Sequence, residues 1–503
     1  MNIQDLLSEF VEDPAQLQNV HVEIQGLSLD TQKMHPGDLF FACKGHTKDG
    51  RNYLPQAIAQ GACALVVERE NLHNFPSYLT APIPVIAIEH LAEKLSQIAG
   101  RYYGNPSHDL TIIGITGTNG KTTCAHLLSN ALSRLGKPCA VIGTLTHALT
   151  TPDAITLQAQ LAAFKAQGIK AVVMEVSSHG LEQYRVQGIH FGSAIFTNLT
   201  QDHLDYHGSM AAYGAAKKKL FCFKTLKRMI LNAQDPFALE LLKVQPILKG
   251  CSTVLYTRES SLPLELKTKC LAITTSKVQF NSEGIVADIT TPWGAFTLGS
   301  KLLGDFNLSN ILCVLAELYF HSVPLIEAIE ILKELSAPPG RMQKFGGTQG
   351  MPLVLVDYAH TPDALYNALN VARAYCTDRL WCVFGCGGDR DQSKRPQMGE
   401  FAAKMADKII ITNDNPRHES EKKIIMDILK GISSQHRDQV IVEEDRKKAI
   451  AYAIEHALEH DVVLIAGKGH ETYQQIGDHR TFFSDSQCVQ MCLGSNVDEI
   501  KTL

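Results

Sequence analysis

The sequence predicts an α/β protein of three domains: a small N-terminal α/β domain, a central domain built on a P-loop, and a doubly wound C-terminal domain. Three observations predict it. At 503 residues and 45% hydrophobic content, the chain is long enough to bury more than one core. Two stretches rich in Gly, Pro and polar residues, near Arg101-Tyr-Tyr-Gly-Asn-Pro-Ser and at Ser336-Ala-Pro-Pro-Gly-Arg341, break the periodic pattern. The last third alternates apolar runs with helical segments, the pattern of a mostly parallel sheet.

In the N-terminal part, Asp38-Leu-Phe-Phe-Ala42 reads as a strand, Gly45–Gly50 as a polar loop, the following segment as an amphipathic helix, and Ala64-Leu-Val-Val as a second strand. A helical stretch, Ala92 to Ala99, leads to the first boundary. The central part opens with the apolar strand Thr111–Ile115 and the amphipathic helix Cys124 to Leu135, and closes on the helix-like Leu325 to Leu335. Beyond the second boundary, strands are predicted at Leu353–Val356, Leu380–Phe384, Lys408–Ile411, Val440–Val442 and Val462–Ala466. Ligands of such sheets bind beyond the carboxyl ends of the strands. Four of these ends run into ligand-capable sequence: Asp357-Tyr-Ala-His-Thr-Pro, Gly387-Gly-Asp-Arg390, Asp414-Asn-Pro-Arg417 and Gly467-Lys-Gly-His-Glu471.

A net charge of -5 and a pI near 6.5 provide no general basic field, which argues against nucleic acid as a partner. Thirteen scattered cysteines, never spaced C-x-x-C, read as reduced thiols. The closest pairs, Cys382/Cys386 and Cys488/Cys492, lie in apolar runs and are expected to be buried. No signal-peptide pattern opens the chain and no run of about 18 apolar residues could span a bilayer, so the expectation is cytoplasmic, without membrane insertion.

The strongest motif is Gly117-Thr-Asn-Gly-Lys-Thr-Thr123, between a strand and a helix. Glycines let backbone N–H groups close on phosphate oxygens, the helix start adds positive potential, Lys121 pairs with the outer phosphates, and Thr122 can ligate magnesium. The strict G-x-x-x-x-G-K-[ST] pattern fails by one residue, because Ile115 stands where the first glycine belongs. The strand-like Ala171-Val-Val-Met ends in Glu175, and Ala194-Ile-Phe-Thr-Asn leads to Gln201-Asp-His-Leu-Asp-Tyr-His207, a stretch rich in metal-ligating types. Beside a P-loop, these residues point to cations bridging nucleotide phosphates.

With Tyr213-Gly-Ala-Ala-Lys217, Gly304-Asp-Phe-Asn-Leu-Ser-Asn310, Gly340-Arg341 and Asp357-Tyr-Ala-His360, these motifs follow the order of the Mur ligases, which the chain resembles from about Leu27 to Asp485. The resemblance implies a UDP-binding domain (1–100), a central ATPase domain (101–337) and a C-terminal Rossmann-like domain (338–503). It implies Lys121, Glu175, His203, Lys217, Asn307, Asn310, Arg341 and Asp357 as the catalytic set. ATP would be held by Gly117, Thr118, Asn119, Gly120, Lys121, Thr122 and Thr123 with Asn307, Arg341, Asp357 and His360. Two magnesium ions would lie among Thr122, Glu175, His203 and Lys217, the lysine carried as a carbamate formed from carbon dioxide. Leu29, Thr31 and the loop His46-Thr47-Lys48 match the uridine-binding segment. Thr150, Thr151, Ser177, Gln183 and Arg185 match contacts to the muramoyl peptide, although Leu149 stands where many members carry Asn.

The implied reaction is amide-bond formation through an acyl phosphate, in peptidoglycan synthesis, by a monomer. The resemblance is closest to members that add meso-diaminopimelate to UDP-N-acetylmuramoyl-L-alanyl-D-glutamate. A distal carboxylate on the amino acid calls for a rigid planar cation, and Asp414-Asn-Pro-Arg417 resembles the recognition motif that supplies one. Arg390, Gly467 and Glu471 match the remaining contacts. Lysine-adding relatives lack that arginine. Folylpolyglutamate synthetases carry a similar P-loop that ends differently, and a nucleotide-dependent scaffold would not need Lys217 or a second pocket.

Overall fold

Strands predicted as continuous apolar runs are buried on both faces, apart from the edge strand Val440–Val442, and the alternation of their side chains assigns each residue to a layer. The structure, a computed structural model, describes residues 1–45, 48–78, 80–147, 149–244, 250–262, 270–281, 284–348 and 350–494. The chain divides into two compact units, Met1–Thr116 with Gly136–Ala194 and Ala216–Lys227, and Gly117–Leu135 with Ile195–Ala215 and Arg228–Leu503.

In the first unit, strands Gly26–Ser28, Asp38–Ala42, Ala64–Glu68 and Val85–Ile88 pair in that order, all parallel. Leu39, Phe41, Val66, Ile86 and Ile88 face one core, shared with Leu95 and Ile98 of helix Leu91–Tyr102. Phe40, Leu65 and Val67 face the other, with Leu54 and Ala57. The buried Glu68 carboxylate accepts from the N–H groups of His90 (3.1 Å) and Leu91 (2.9 Å), the orphan donors at that helix's start. The same unit carries the parallel strands Cys139–Ile142, Ala171–Glu175 and Thr111–Thr116, with Ala171 opposite both Cys139 and Thr111.

The second unit contains the P-loop helix Lys121–Arg134, which packs on helix Asp305–Phe320. Strands Arg228–Asn232, Ser252–Tyr256 and Leu271–Asn281 pair in parallel and continue antiparallel into Gly284–Thr291 and Gly294–Ser300. Its six-stranded sheet runs Gln343–Gly346, Leu353–Asp357, Val462–Ala466, Leu380–Phe384, Lys408–Ile411, Val440–Val442, parallel except for the first pair. Helices Pro362–Tyr375, Lys394–Met405 and Glu421–Leu429 pack one face through Leu365, Met398 and Ile428. Helices Arg446–His456 and Asp485–Cys492 pack the other through Ile450, Ala453 and Cys488. This is the doubly wound sheet expected, and all four ligand-capable segments leave the carboxyl ends of its strands. A buried ion pair ties the second face together. Arg446 Nε and Nη2 donate to the two Asp485 oxygens at 2.7 and 2.8 Å, and Nη2 also donates to the Ala466 carbonyl at 2.9 Å.

All thirteen cysteines are unbridged. Cys382, Cys386 and Cys488 are buried as expected, but Cys492 is exposed, because it closes the last helix on its solvent side. No helix among the described residues is long and apolar enough to cross a membrane.

Candidate active site

The loop that follows strand Thr111–Thr116 turns at two glycines where any side chain would be strained or crowded. Gly117 (φ 153°) would place a Cβ 1.8 Å from Thr197 Oγ1, and Gly120 (φ 86°) would place one 2.9 Å from Asn310 Oδ1. The loop is laced to the 197–200 segment. Thr118 N–H donates to the Asn198 carbonyl at 2.8 Å, Asn119 N–H to Asn198 Oδ1 at 2.9 Å, and Thr197 Oγ1 to the Asn119 carbonyl at 2.6 Å. Helix Lys121–Arg134 starts without a side-chain cap, so its first N–H groups face the loop. Lys121 Nζ donates to the Gly117 and Thr118 carbonyls at 3.0 and 2.8 Å, and Thr122 and Thr123 are buried.

Around this loop lies a cavity of about 460 Å³, lined among others by Asn119, Gly120, Asn310, Arg341, Asp357 and His360. Arg341 Nη2 donates to Thr122 Oγ1 at 3.2 Å, and its guanidinium lies 4.3 Å over the Tyr358 ring. Asp357 accepts from the N–H groups of Met342 (2.7 Å) and Ala359 (2.8 Å), while burial pushes its carboxyl above the usual range. The asparagine pair is oriented by a chain of bonds: Cys124 Sγ to Asn310 Oδ1 (3.2 Å), Asn310 Nδ2 to Asn307 Oδ1 (3.0 Å), Asn307 Nδ2 to the Leu303 carbonyl (2.7 Å).

His203 takes a left-handed backbone (φ 54°), with Nε2 3.5 Å from Asp202 Oδ2. Burial opposes ionisation of Asp202, yet the charges of His203, Lys394 and His360 hold its carboxyl well below the usual range. His360 Nδ1 bonds the Tyr358 carbonyl at 2.9 Å. The protein packed around His360, with the Lys394 charge, pushes its imidazole down to about 4, so it is neutral at pH 7.

In the first unit, a second group assembles around Glu175, at the end of its strand and 1% exposed. Its oxygens accept from Thr144 N–H (2.9 Å) and Thr144 Oγ1 (3.3 Å), whose hydroxyl also bonds Thr150 (3.0 Å). Thr151 Oγ1 donates to the Glu175 carbonyl at 2.9 Å and accepts from Ser177 N–H at 2.9 Å. Arg185 donates to the Thr151 carbonyl at 2.7 Å and to Gln183 Oε1 at 2.5 and 3.1 Å. All five residues matched to peptide contacts therefore lie together, and Leu149 beside them is exposed. Thr31 is buried, Leu29 half-buried and Lys48 exposed, while His46 and Thr47 lie outside the described residues. Of three consecutive lysines ending helix Met210–Lys218 and opening the next turn, Lys217 alone is buried, at 1% exposure.

The third group occupies the carboxyl edge of the six-stranded sheet. Asp414, Asn415 and Pro416 are buried, and Arg417 takes a left-handed backbone (φ 51°) with its Nη1 on the Gly388 carbonyl at 2.7 Å. Asn415 Nδ2 donates to Glu471 Oε2 at 2.8 Å. Burial, with the Asp414 charge, raises the Glu471 carboxyl. Gly467 (φ 116°) brings the chain close enough that a Cβ would meet Asp414 Oδ2 at 2.7 Å. Arg390 is exposed, with no hydrogen bond or ion pair among the described residues. Gly340 and Gly469 touch backbone to backbone: a Cβ on the first would meet His470 N at 2.1 Å, and one on the second the Gly340 carbonyl oxygen at 2.6 Å.

Sequence reasoning missed Lys468 and Lys394. Lys468 is fully buried, donating to Asn415 Oδ1 (3.1 Å) and Glu471 Oε2 (3.0 Å), which ties the two motifs of the third group. Only its place between two glycines in Gly467-Lys-Gly469 signalled it.

Three family descriptions match the chain: "Mur ligase family, catalytic domain" over residues 23–103, "Mur ligase middle domain" over 115–318, and "Mur ligase, glutamate ligase domain" over 340–469. A curated protein from Chromobacterium violaceum, named UDP-N-acetylmuramoyl-L-alanyl-D-glutamate--2,6-diaminopimelate ligase, is 43% identical over 96% of this chain and 96% of its own. One of the same name from Pseudomonas aeruginosa is 44% identical over 94% and 95%. A solved structure titled for the same enzyme superposes with a TM-score of 0.67 at 33% identity, covering 98% of this chain and 99% of the other. A folylpolyglutamate synthase structure from Mycobacterium tuberculosis shares the fold alone, with a TM-score of 0.59 at 16% identity over 75% of this chain and 92% of its own.

Proposed function

The chain belongs to the Mur ligase family, and from that premise we propose that it adds meso-diaminopimelate to UDP-N-acetylmuramoyl-L-alanyl-D-glutamate, with ATP, in peptidoglycan synthesis. The observation that carries the choice of amino acid is Arg417. Its guanidinium is pinned at Nη1 to Gly388, at the edge where Asp414, Asn415, Gly467 and Glu471 gather. A planar cation held so presents two parallel donors to a carboxylate, which the distal end of diaminopimelate has and lysine lacks. Glu471 faces the distal ammonium in this reading, and Arg390 makes a further contact. The relatives that carry the diaminopimelate-ligase name, at 43% and 44% identity, support the same assignment.

The chemistry follows in two steps. The D-glutamyl side-chain carboxylate attacks the γ-phosphorus of ATP in line, forming an O–P bond as ADP departs. The amine then attacks the acyl carbon, phosphate leaves, and the nitrogen gives up a proton. Lys121, the P-loop N–H groups and Arg341 meet the charge on the transferring oxygens. Asn307, Asn310, Asp357 and His360 bound the nucleotide, and Thr150, Thr151, Ser177, Gln183 and Arg185 hold the muramoyl peptide. Leu29, Thr31 and the 46–48 loop hold the uridine. The domains are assigned as 1–100, 101–337 and 338–503, in a monomeric, cytoplasmic enzyme.

The donor set fits magnesium. By residue type, the carboxylate (Glu175), the hydroxyl (Thr122) and the imidazole (His203) that the family resemblance assigns suit an ion that keeps waters and phosphate oxygens rather than a closed protein cage. Two bound ions would bridge and neutralise phosphate charge. The burial of Lys217 supports its carriage as a carbamate, since a bare ammonium would repel the metal. The deciding experiment is phosphate release with ATP and the UDP-muramoyl dipeptide, comparing diaminopimelate with lysine. Stimulation by diaminopimelate alone is expected; stimulation by lysine would reassign the pocket, and none by either would leave a nucleotide-binding scaffold.

A further inference from the structure

Lys394 opens helix Lys394–Met405, is 6% exposed, and makes no hydrogen bond or ion pair with any described residue. Its stem is buried while its Nζ is not among the buried polar atoms left without a partner, so the ammonium reaches solvent with no protein acceptor on it and is open to an anionic ligand. Its surroundings say where. Ser393 Oγ accepts from Gln201 Nε2 at 3.3 Å, which sets the helix start against the Gln201-Asp202-His203 segment. The Lys394 charge acts on Asp202, on His360 and on Cys386. Asp202 is no adequate partner: it lies beyond ion-pair reach of Lys394 and its oxygens already serve His203. Thr200, next to Gln201, lines the cavity and donates its N–H to Thr118 Oγ1 of the P-loop at 3.0 Å, so the helix start that carries Lys394 lies on the P-loop side of the site.

We propose that Lys394 is a further catalytic residue, whose ammonium binds the phosphoryl group as it passes from ATP to the substrate carboxylate; this rests on the ligase reading above. In that step the carboxylate oxygen forms a bond to the γ-phosphorus while the bond to the β,γ-bridging oxygen breaks and its electron pair leaves with ADP. No proton moves. Charge spreads over the three peripheral oxygens, and a cation with three unused N–H donors stabilises them, complementing Lys121 on the P-loop side. The uncapped N-terminus of the same helix adds positive potential at the same point.

The test compares titration of ADP with that of β,γ-methylene-ATP, which retains the terminal phosphoryl, for the wild-type chain and Lys394→Met, with phosphate release measured alongside. The variant is expected to bind ADP within about twofold of wild type but the analogue about tenfold more weakly, with kcat reduced about 10²-fold, a loss of the size seen for one oxyanion donor. Lys394→Arg is expected to recover part of both. An unchanged ratio of analogue to ADP affinity would overturn the proposal, as would a loss confined to KM for the amino acid, which would place an amino-acid carboxylate at Lys394 instead. If Lys394→Met does not melt cooperatively, Lys394→Gln carries the same two outcomes. The affinity ratio needs no turnover, so a wild-type chain inactive with diaminopimelate would count against the ligase reading, while the ratio would still decide whether Lys394 meets the terminal phosphoryl.

Discussion

Replacing Arg417 by lysine tests the amino-acid pocket at its most constrained point. The Arg417 main chain is fixed on both sides, its N–H on the Gln475 carbonyl at 3.1 Å and its carbonyl receiving Gly477 N–H at 2.7 Å. With Nη1 on Gly388 at 2.7 Å, the Nε and Nη2 edge remains to form two parallel bonds with a carboxylate. Lysine keeps the charge but cannot make the Gly388 anchor and a two-point grip together. A hydrogen bond to a charged group contributes about 1.5–3 kcal/mol, so losing one to two of them costs about 1.5–6 kcal/mol, or about 10–10⁴-fold in kcat/KM. The assay is phosphate release at fixed ionic strength, with diaminopimelate or lysine as acceptor. The value for diaminopimelate should fall by that factor, while the small activity with lysine stays within about threefold. An Arg417→Lys enzyme that retains the wild-type preference would refute the assignment.

Lys217→Ala should lose ligation and regain it when short-chain carboxylic acids are supplied, measured by phosphate release; no recovery would count against the carbamate. Asp485→Ala should lower stability by about 3–5 kcal/mol in urea melts, because it leaves the buried Arg446 guanidinium unpaired, whereas the double variant Arg446→Met/Asp485→Leu should recover most of that loss. Equal losses in single and double variants would show that packing, not charge, is responsible. The Glu471 carboxyl is raised in the folded state, so its contribution to stability is full below the ordinary value of about 4.3 and is lost as pH rises through the folded value. Melting curves from pH 4 to 7 should therefore fall less steeply for Glu471→Gln than for the wild type, and parallel profiles would contradict the shift.

Strands buried on both faces were the most legible part of the chain. Leu380–Phe384, Lys408–Ile411 and Val462–Ala466 begin and end where their apolar runs do, since nearly every residue faces a core, and the edge strand Val440–Val442 keeps the same bounds although Val442 is exposed. Strand Phe191–Phe196 begins three residues before Ala194, because Gly192 and Ser193 interrupt its apolar run. The P-loop helix starts at Lys121 rather than Cys124, because a phosphate loop runs straight into its helix. The antiparallel strands Leu271–Asn281, Gly284–Thr291 and Gly294–Ser300 are rich in Thr, Ser and Gly and carry no continuous apolar signal. In the site, motif residues could be read because their types announce chemistry. Lys394 and Lys468 could not, since lysine is ordinarily a surface residue and only the packed fold reveals its burial.

The contact between Gly340 and Gly469 has a thermodynamic corollary. Arg341 follows one glycine and leans on the P-loop; Glu471 lies two residues past the other and borders the proposed amino-acid pocket. Two segments that meet main chain to main chain cannot shift far separately, so a nucleotide that settled Arg341 would also settle Glu471. Linkage makes this reciprocal: whatever factor the nucleotide lends to amino-acid affinity, the amino acid returns to the nucleotide. A compound wedged between the two segments would resemble neither substrate, yet would loosen the enzyme's hold on both.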